Sequence, residues 1–130
     1  MHILVFNAGS SSLKFGVFRL DAEDGAVEVF KGSYERFREG RSEFRFRRGD
    51  ADERGTADIG GIDRAIEAIP GVLHRFGLND IGAIGHRVVH GGARFSAATI
   101  LDDATVAEID ALTPLAPLHN PANLRAVRLC

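Results

Sequence analysis

The sequence predicts an α/β fold built on a mixed sheet with flanking helices. Three observations carry this expectation. Apolar residues over the first 48 positions recur with a period of two, the strand pattern. A stripe at spacings of four and three follows, Ile62, Ile66, Ile69, Leu73 and Phe76, which is one face of an amphipathic helix. Beyond it, a strand-like run from Ile81 to Val89 precedes two further helix starts. Strands first, then helix, strand and helices, give an α/β chain with parallel and antiparallel pairing in one sheet.

Each element has its own signal. The apolar run Ile3 to Phe6 is cut off by Asn7-Ala8-Gly9-Ser10-Ser11-Ser12 and resumes as Leu13, Phe15 and Val17. A hairpin of residues 2–8 and 12–20 fits this better than a strand entering a helix, because the period after Ser12 is two. Asp21 to Gly25 is a polar turn, and Ala26 to Phe37, with Val27, Val29 and Phe30, reads as a third strand. Arg41 to Arg48 alternates, Phe44 and Phe46 against Glu43, Arg45 and Arg47. This is a half-buried strand, placed at a sheet edge where charge discourages pairing with another chain. Gly49 to Gly60 is charged and turn-rich, and is expected to be a mobile loop. Pro70 should kink or restart the helix, and Gly77 should stop it. Ile81 to Val89 is expected to be a mostly buried strand ending at Gly91-Gly92. Asp102 or Asp103 caps a helix bearing Val106, Ile109 and Leu112, ended by Pro114 and Pro117. Asn120-Pro121 starts a last helix. That helix is still running, with Leu124 and Val127, at Cys130, so the chain is expected to be an N-terminal piece of something longer.

Composition narrows the function classes. A chain of 130 residues suits one domain or part of one, and can bury a core without disulfides or metals. Its single cysteine, Cys130, excludes a disulfide framework and points to a reducing compartment. The net charge of −2 gives no reason to expect nucleic acid or an acidic membrane as partner. No apolar run approaches the ~20 residues of a membrane span, and the N-terminus lacks the basic region of a signal peptide. The expectation is a cytoplasmic protein. Arginine and phenylalanine interleave from Tyr34 to Arg48, the pattern of a base-stacking surface in an RNA-binding protein. Glu35, Glu39, Glu43, Asp50 and Asp52 cancel much of that field, so a solvated strand face is the favoured reading.

Three constellations carry chemistry. The first is the Asn7–Ser12 turn with Lys14. Gly9 lets backbone approach a ligand, consecutive N–H groups can form an anion-binding concavity, and hydroxyls, an amide and Lys14 add donors. It is either a phosphate-gripping hairpin or an ordinary Ser/Gly-rich turn; it is not a P-loop, since the Gly-Lys-Ser/Thr and the helix of that motif are missing. The second is Gly85-His86-Arg87-Val88-Val89-His90-Gly91-Gly92 at the carboxyl end of a strand, where ligands of α/β sheets gather. Arg87 presents a fork for a carboxylate or phosphate beside the small apolar wall of Val88 and Val89, or else it is a structural ion-pair residue. The third is Leu115-Ala116-Pro117-Leu118-His119-Asn120-Pro121. It puts His119 at a helix N-terminus, where an imidazole either donates to a phosphoryl oxygen or sits in a capping loop facing solvent. A metal site of His86, His90 and His119 has no Cys or carboxylate spacing to support it.

Asn-Ala-Gly-Ser-Ser-Ser-Leu-Lys at 7–14, Gly-His-Arg-Val-Val-His-Gly-Gly at 85–92 and Ala-Pro-Leu-His-Asn-Pro at 116–121 together resemble the acetate kinase family, in order and at similar separations. The resemblance covers essentially the whole chain, least clearly between Tyr34 and Gly61. It implies a partial actin/hexokinase/Hsp70-like (ribonuclease H-like) domain, with residues 1–130 as the N-terminal part of the first acetokinase domain and the second domain absent. It implies reversible transfer of the ATP γ-phosphoryl group to the carboxylate of acetate, with Mg²⁺, by direct in-line transfer, in a full-length protein that is a homodimer.

Carried over residue by residue, the resemblance places Asn7 near the transferred phosphoryl and the metal, and Ser10, Ser12 and Lys14 in the phosphate-side loop. Arg87 would grip the acceptor carboxylate, Val89 and Leu118 would line the methyl pocket, and His119 would stabilise charge on the transferring group. The physical logic agrees. Two anions must meet at about 3–3.5 Å, so the protein's task is positioning and charge stabilisation.

Family chains are roughly three times this length, which on size implies two domains. The acidic residue after the His119 segment, further arginine and histidine contacts, a metal-binding glutamate and most of the nucleotide pocket are absent here. The 130-residue chain alone is therefore expected to lack useful kinase activity. A propionate kinase, and a non-catalytic remnant that binds a small anion or a partner, are the alternatives.

Overall fold

Five strands joined by tight turns are laid down before the first helix. In the computed structural model, which describes residues 2–9, 11–23, 25–87 and 102–111, these are β1 (His2–Ala8), β2 (Ser12–Asp21), β3 (Gly25–Arg38), β4 (Arg41–Arg48) and β5 (Ala51–Ala57). Then come α1 (Ile62–Arg75), β6 (Ile81–His86) and α2 (Asp103–Asp110). The six strands form one sheet in the order β5-β4-β3-β2-β1-β6. Successive strands from β1 to β5 pair antiparallel, and β6 joins β1 in parallel, so the sheet is mixed as expected. Among the described residues, no helix is long and apolar enough to cross a membrane.

Alternation sorts the sheet into two unlike faces. Leu4, Phe6 and Ala8 of β1, Leu13, Phe15 and Val17 of β2, Phe30 and Tyr34 of β3, and Phe46 of β4 are buried on one face. Helix α1 lays Ala65, Ile66, Ile69, Val72 and Leu73 on that face, and together they form the core. Aromatic rings knit the layer: Phe15 lies 5.8 Å from Phe30 and 6.3 Å from Phe46, and Phe30 meets Phe76 edge-on at 5.1 Å. Phe46 is thus a core residue and Phe44 stacks on it at 4.9 Å, so neither ring stands free to stack on a base. The opposite face of β1 to β5 carries the polar and charged set.

Several expectations change. Residues 49–60 are not a loop: 51–57 form β5, paired with β4 along its length. A two-residue turn, Gly49-Asp50, joins them, and Gly49 takes φ 56°, the conformation that glycine adopts without steric cost. With β5 in place, β4 is an interior strand and β5 is the edge. Pro70 does not interrupt α1, which runs through it. Pro70 is on the solvent side, and Ile66, Ile69, Val72 and Leu73 anchor both halves to the same sheet. The helix ends as expected at Gly77: Leu78 N–H donates to the Leu73 carbonyl at 2.9 Å and Gly77 N–H to that of His74 at 3.0 Å, a Schellman closure. Strand β6 is not mostly buried. It spans 81–86 at the other sheet edge, with Ile84 47% exposed. The expected end of this strand at Val89, the last helix from Asn120, and Leu112, Pro114 and Pro117 lie outside the described residues.

Candidate anion site at the carboxyl ends of two parallel strands

Strands β1 and β6 run in the same direction, so their carboxyl ends meet at one end of the sheet, beside the turn between β1 and β2. Backbone closes this corner. Gly9 N–H donates to the Ser12 carbonyl at 2.8 Å, fixing the turn, and Arg87 N–H donates to the Phe6 carbonyl at 2.9 Å. Arg87 therefore sits one step from Asn7, although 80 residues separate them in sequence. Alternation sends residue 87 to the face opposite His86, which is the face of Asn7 and Lys14.

On that face Asn7 and Lys14 are direct cross-strand partners, and the register continues from Lys14 to Ser33 of β3. Ser12 is half-buried at the start of β2, opposite Glu35. Lys14 Nζ stands 3.6 Å from Glu35 Oε1, with both side chains about half exposed. Such a pair contributes only about 0–1 kcal/mol, so it does not hold the ammonium against a stronger anion. Arg87 is exposed and makes no ion pair among the described residues.

His86 forms the floor on the other side. Its ring stacks on Phe6, centroids 5.3 Å apart at 22°, and its buried Nδ1 has no hydrogen-bond partner among the described residues. Burial pulls its pKa below the usual histidine value and favours the neutral ring. Ser33, Glu35 and the buried role of His86 were missed in the sequence. The alternation of β3 could have placed the first two beside Lys14, but only once the β2–β3 register was known.

The structure thus brings Asn7, Ser12, Lys14 and Arg87 to one corner. Ser10, Val89, Leu118 and His119 lie outside the described residues, as does His90. Among the described residues no group of three or more His, Cys, Asp or Glu side chains is placed to hold a metal ion. Asn7 alone offers a single neutral oxygen, and these residues do not by themselves fit Mg²⁺.

The acetokinase family model matches residues 2–130. The chain belongs to the acetokinase family. It is 40% identical to the acetate kinase of Bacillus subtilis over 130 residues, covering 97% of this chain and 32% of that protein. Among solved structures, a propionate kinase from Francisella tularensis superposes with a TM-score of 0.86 at 32% identity, covering 99% of this chain and 33% of that one. The acetate kinase of Porphyromonas gingivalis gives 0.85 at 32% identity, covering 98% and 33%. The chain therefore spans about a third of the length of the relatives it matches. The mixed sheet with its packed helix is the actin/hexokinase/Hsp70-type arrangement of these acetate and propionate kinase structures.

Proposed function

We propose that the chain is the first-domain portion of an enzyme that transfers the γ-phosphoryl group of ATP to the carboxylate of acetate, reversibly. The observation that supports this most is the meeting of the β1–β2 turn with Arg87, through the Arg87 N–H to Phe6 carbonyl bond of 2.9 Å. An acid acceptor and a phosphoryl donor are both anions, and their approach needs cations and fixed donors on more than one side.

In this reading Arg87 grips the acceptor carboxylate with its planar fork. Asn7 donates near the transferring phosphoryl, and Ser10, Ser12 and Lys14 hold the phosphate side. Val89 and Leu118 wall the acid's methyl group, and His119 donates to the transferring oxygens. Mg²⁺ would add charge neutralisation when bound near Asn7. The described residues supply no carboxylate set for it, and no step here runs through the ion.

Propionate is the second acceptor to consider, because a propionate kinase is among the structures this fold matches. One methylene discriminates by only about 1–3 kcal/mol, so both acids would be used to some extent. The 130-residue chain on its own would not turn over, because Arg87 and the turn form one side of a pocket whose transition state must be held from several. The test is trapping of acyl phosphate as hydroxamate from the protein purified from its native source, with ATP and acetate, propionate or no acid. Acyl phosphate formed only when acid is present is the expected result. ATP consumption without acyl phosphate, or no reaction with either acid, would overturn the proposal.

A further inference from the structure

The charged face of the sheet contains a like-charge cross-strand contact, which the Asp52 carboxylate offsets only at longer range from Arg47. Lys31 of β3 and Arg47 of β4 are direct cross-strand partners. Side chains so placed have Cβ atoms about 4.5–5.5 Å apart, and two cations there repel. Two neighbouring cations on this face are paired. Arg45 Nε and Nη2 donate to the two carboxylate oxygens of Asp52 at 3.1 and 2.8 Å, and Lys14 has Glu35. Asp52 faces Arg47 across β4 and β5 but is taken by Arg45 and, at 3.9 Å, by Arg54. Lys31 and Arg47 have no ion pair among the described residues.

The pair borders a concavity of about 500 Å³ on this face, reaching from Asn7 and Lys14 to Arg47. Four cations line it, Lys14, Lys31, Arg45 and Arg47, against two carboxylates, Glu28 and Glu35. Ser33 adds a neutral donor between the Lys14 and Arg45 positions. Gly16, directly opposite Lys31, adds no side chain of its own, and the Phe18 ring and the Glu28 carboxylate reach over it. We infer that the Lys31–Arg47 pair with Ser33 is an anion site for a phosphoryl group on the open sheet face, in the same concavity as Asn7 and Lys14 but one row of side chains further along the strands. A dianion between the two cations turns their repulsion into two charge-assisted contacts, and the arginine can grip it bidentately. The inference does not depend on the proposed phosphotransfer, since neither Lys31 nor Arg47 has a role in it.

The test is titration of the chain with inorganic phosphate and, separately, with ADP, at constant ionic strength, followed by amide NMR and by the thermal unfolding midpoint. Saturable phosphate binding that shifts the Lys31, Gly32 and Arg47 amides is expected. The double variant Lys31→Gln/Arg47→Gln should bind at least ten-fold more weakly. It should also unfold at a higher temperature in anion-free buffer, because the repulsion is gone, and this keeps the test clear of misfolding. Tighter ADP binding through the same residues would identify the ligand as a nucleotide's phosphate; equal or weaker binding would identify free phosphate. A response reproduced by sodium chloride, or binding unchanged in the double variant, overturns the site.

Discussion

Gly32→Ala is expected to destabilise the protein through one ring. An alanine Cβ there would lie 2.4 Å from Phe15 Cζ and 2.7 and 2.9 Å from its two Cε atoms. Carbon atoms pack best at about 3.5–4.0 Å, so the ring must retreat by roughly 1 Å. It has nowhere to go. Phe15 is 4% exposed, with Phe30, Tyr34 and Phe46 at 5.8, 6.2 and 6.3 Å. Overpacking of this kind costs about 1–3 kcal/mol, offset in part by the ~0.4–1 kcal/mol gained from a less flexible unfolded chain. Phe15→Ala alone should cost about 3–5 kcal/mol as a large-to-small core change. In that background Gly32→Ala has no ring to strike, so the two changes should be coupled by about 0.5–3 kcal/mol. Urea unfolding of the four proteins measures this. A Gly32→Ala protein within about 0.5 kcal/mol of wild type, or the same cost in both backgrounds, would refute the packing argument.

Three other outcomes follow from the packing and burial of single side chains. Ser42 is 2% exposed and its Oγ has no hydrogen-bond partner among the described residues, so Ser42→Ala should leave stability unchanged or raise it in denaturant titration, because none of those hydrogen bonds is lost with the hydroxyl. Ile69→Ala, at a side chain 1% exposed between helix and sheet, should lower stability by about 2–5 kcal/mol in the same assay. Burial lowers the His86 pKa in the folded state, so below about pH 6.5 the unfolded chain binds a proton that the folded chain does not. Stability should fall with decreasing pH through that window, and His86→Phe should flatten the fall; a wild-type profile identical to the variant's would contradict the assignment.

The parts of the fold written in alternation were legible. Phe15, Val17, Phe44 and Phe46 repeat every second residue, and the strands containing them fall close to where that period places them. Strand β5 was not legible by that means, since six of its seven residues are exposed and no apolar face marks it. Its backbone ladder with β4 and the Gly49-Asp50 turn make the strand, and the turn was the one signal available. Missing β5 also put β4 at the edge. The exposure of β6 has a similar cause: Ile81-Gly82-Ala83-Ile84 reads as buried by hydropathy, but burial depends on what lies beside the strand, and among the described residues only β1 pairs with it. For the site, Asn7, Ser12 and Lys14 of one motif and Arg87 of another come to one corner because a parallel β1–β6 pair brings distant carboxyl ends together, a relation that neither motif shows alone. The Lys14–Glu35 and Lys31–Arg47 relations depend on strand register, which the sequence specifies only weakly on a face polar throughout.

The most direct test of the central claim, that Arg87 and the β1–β2 turn hold opposite reactants, is the effect of Arg87→Ala and Arg87→Lys on acyl phosphate formation by the native-source enzyme. Losing a charged fork from a partly desolvated pair costs about 2–5 kcal/mol, a fall of roughly 30-fold or more in kcat/KM for acetate. The KM for ATP should stay nearly unchanged, and lysine should restore only part of the loss because it lacks the fork. An unchanged kcat/KM for acetate, or a defect confined to ATP, would contradict the account.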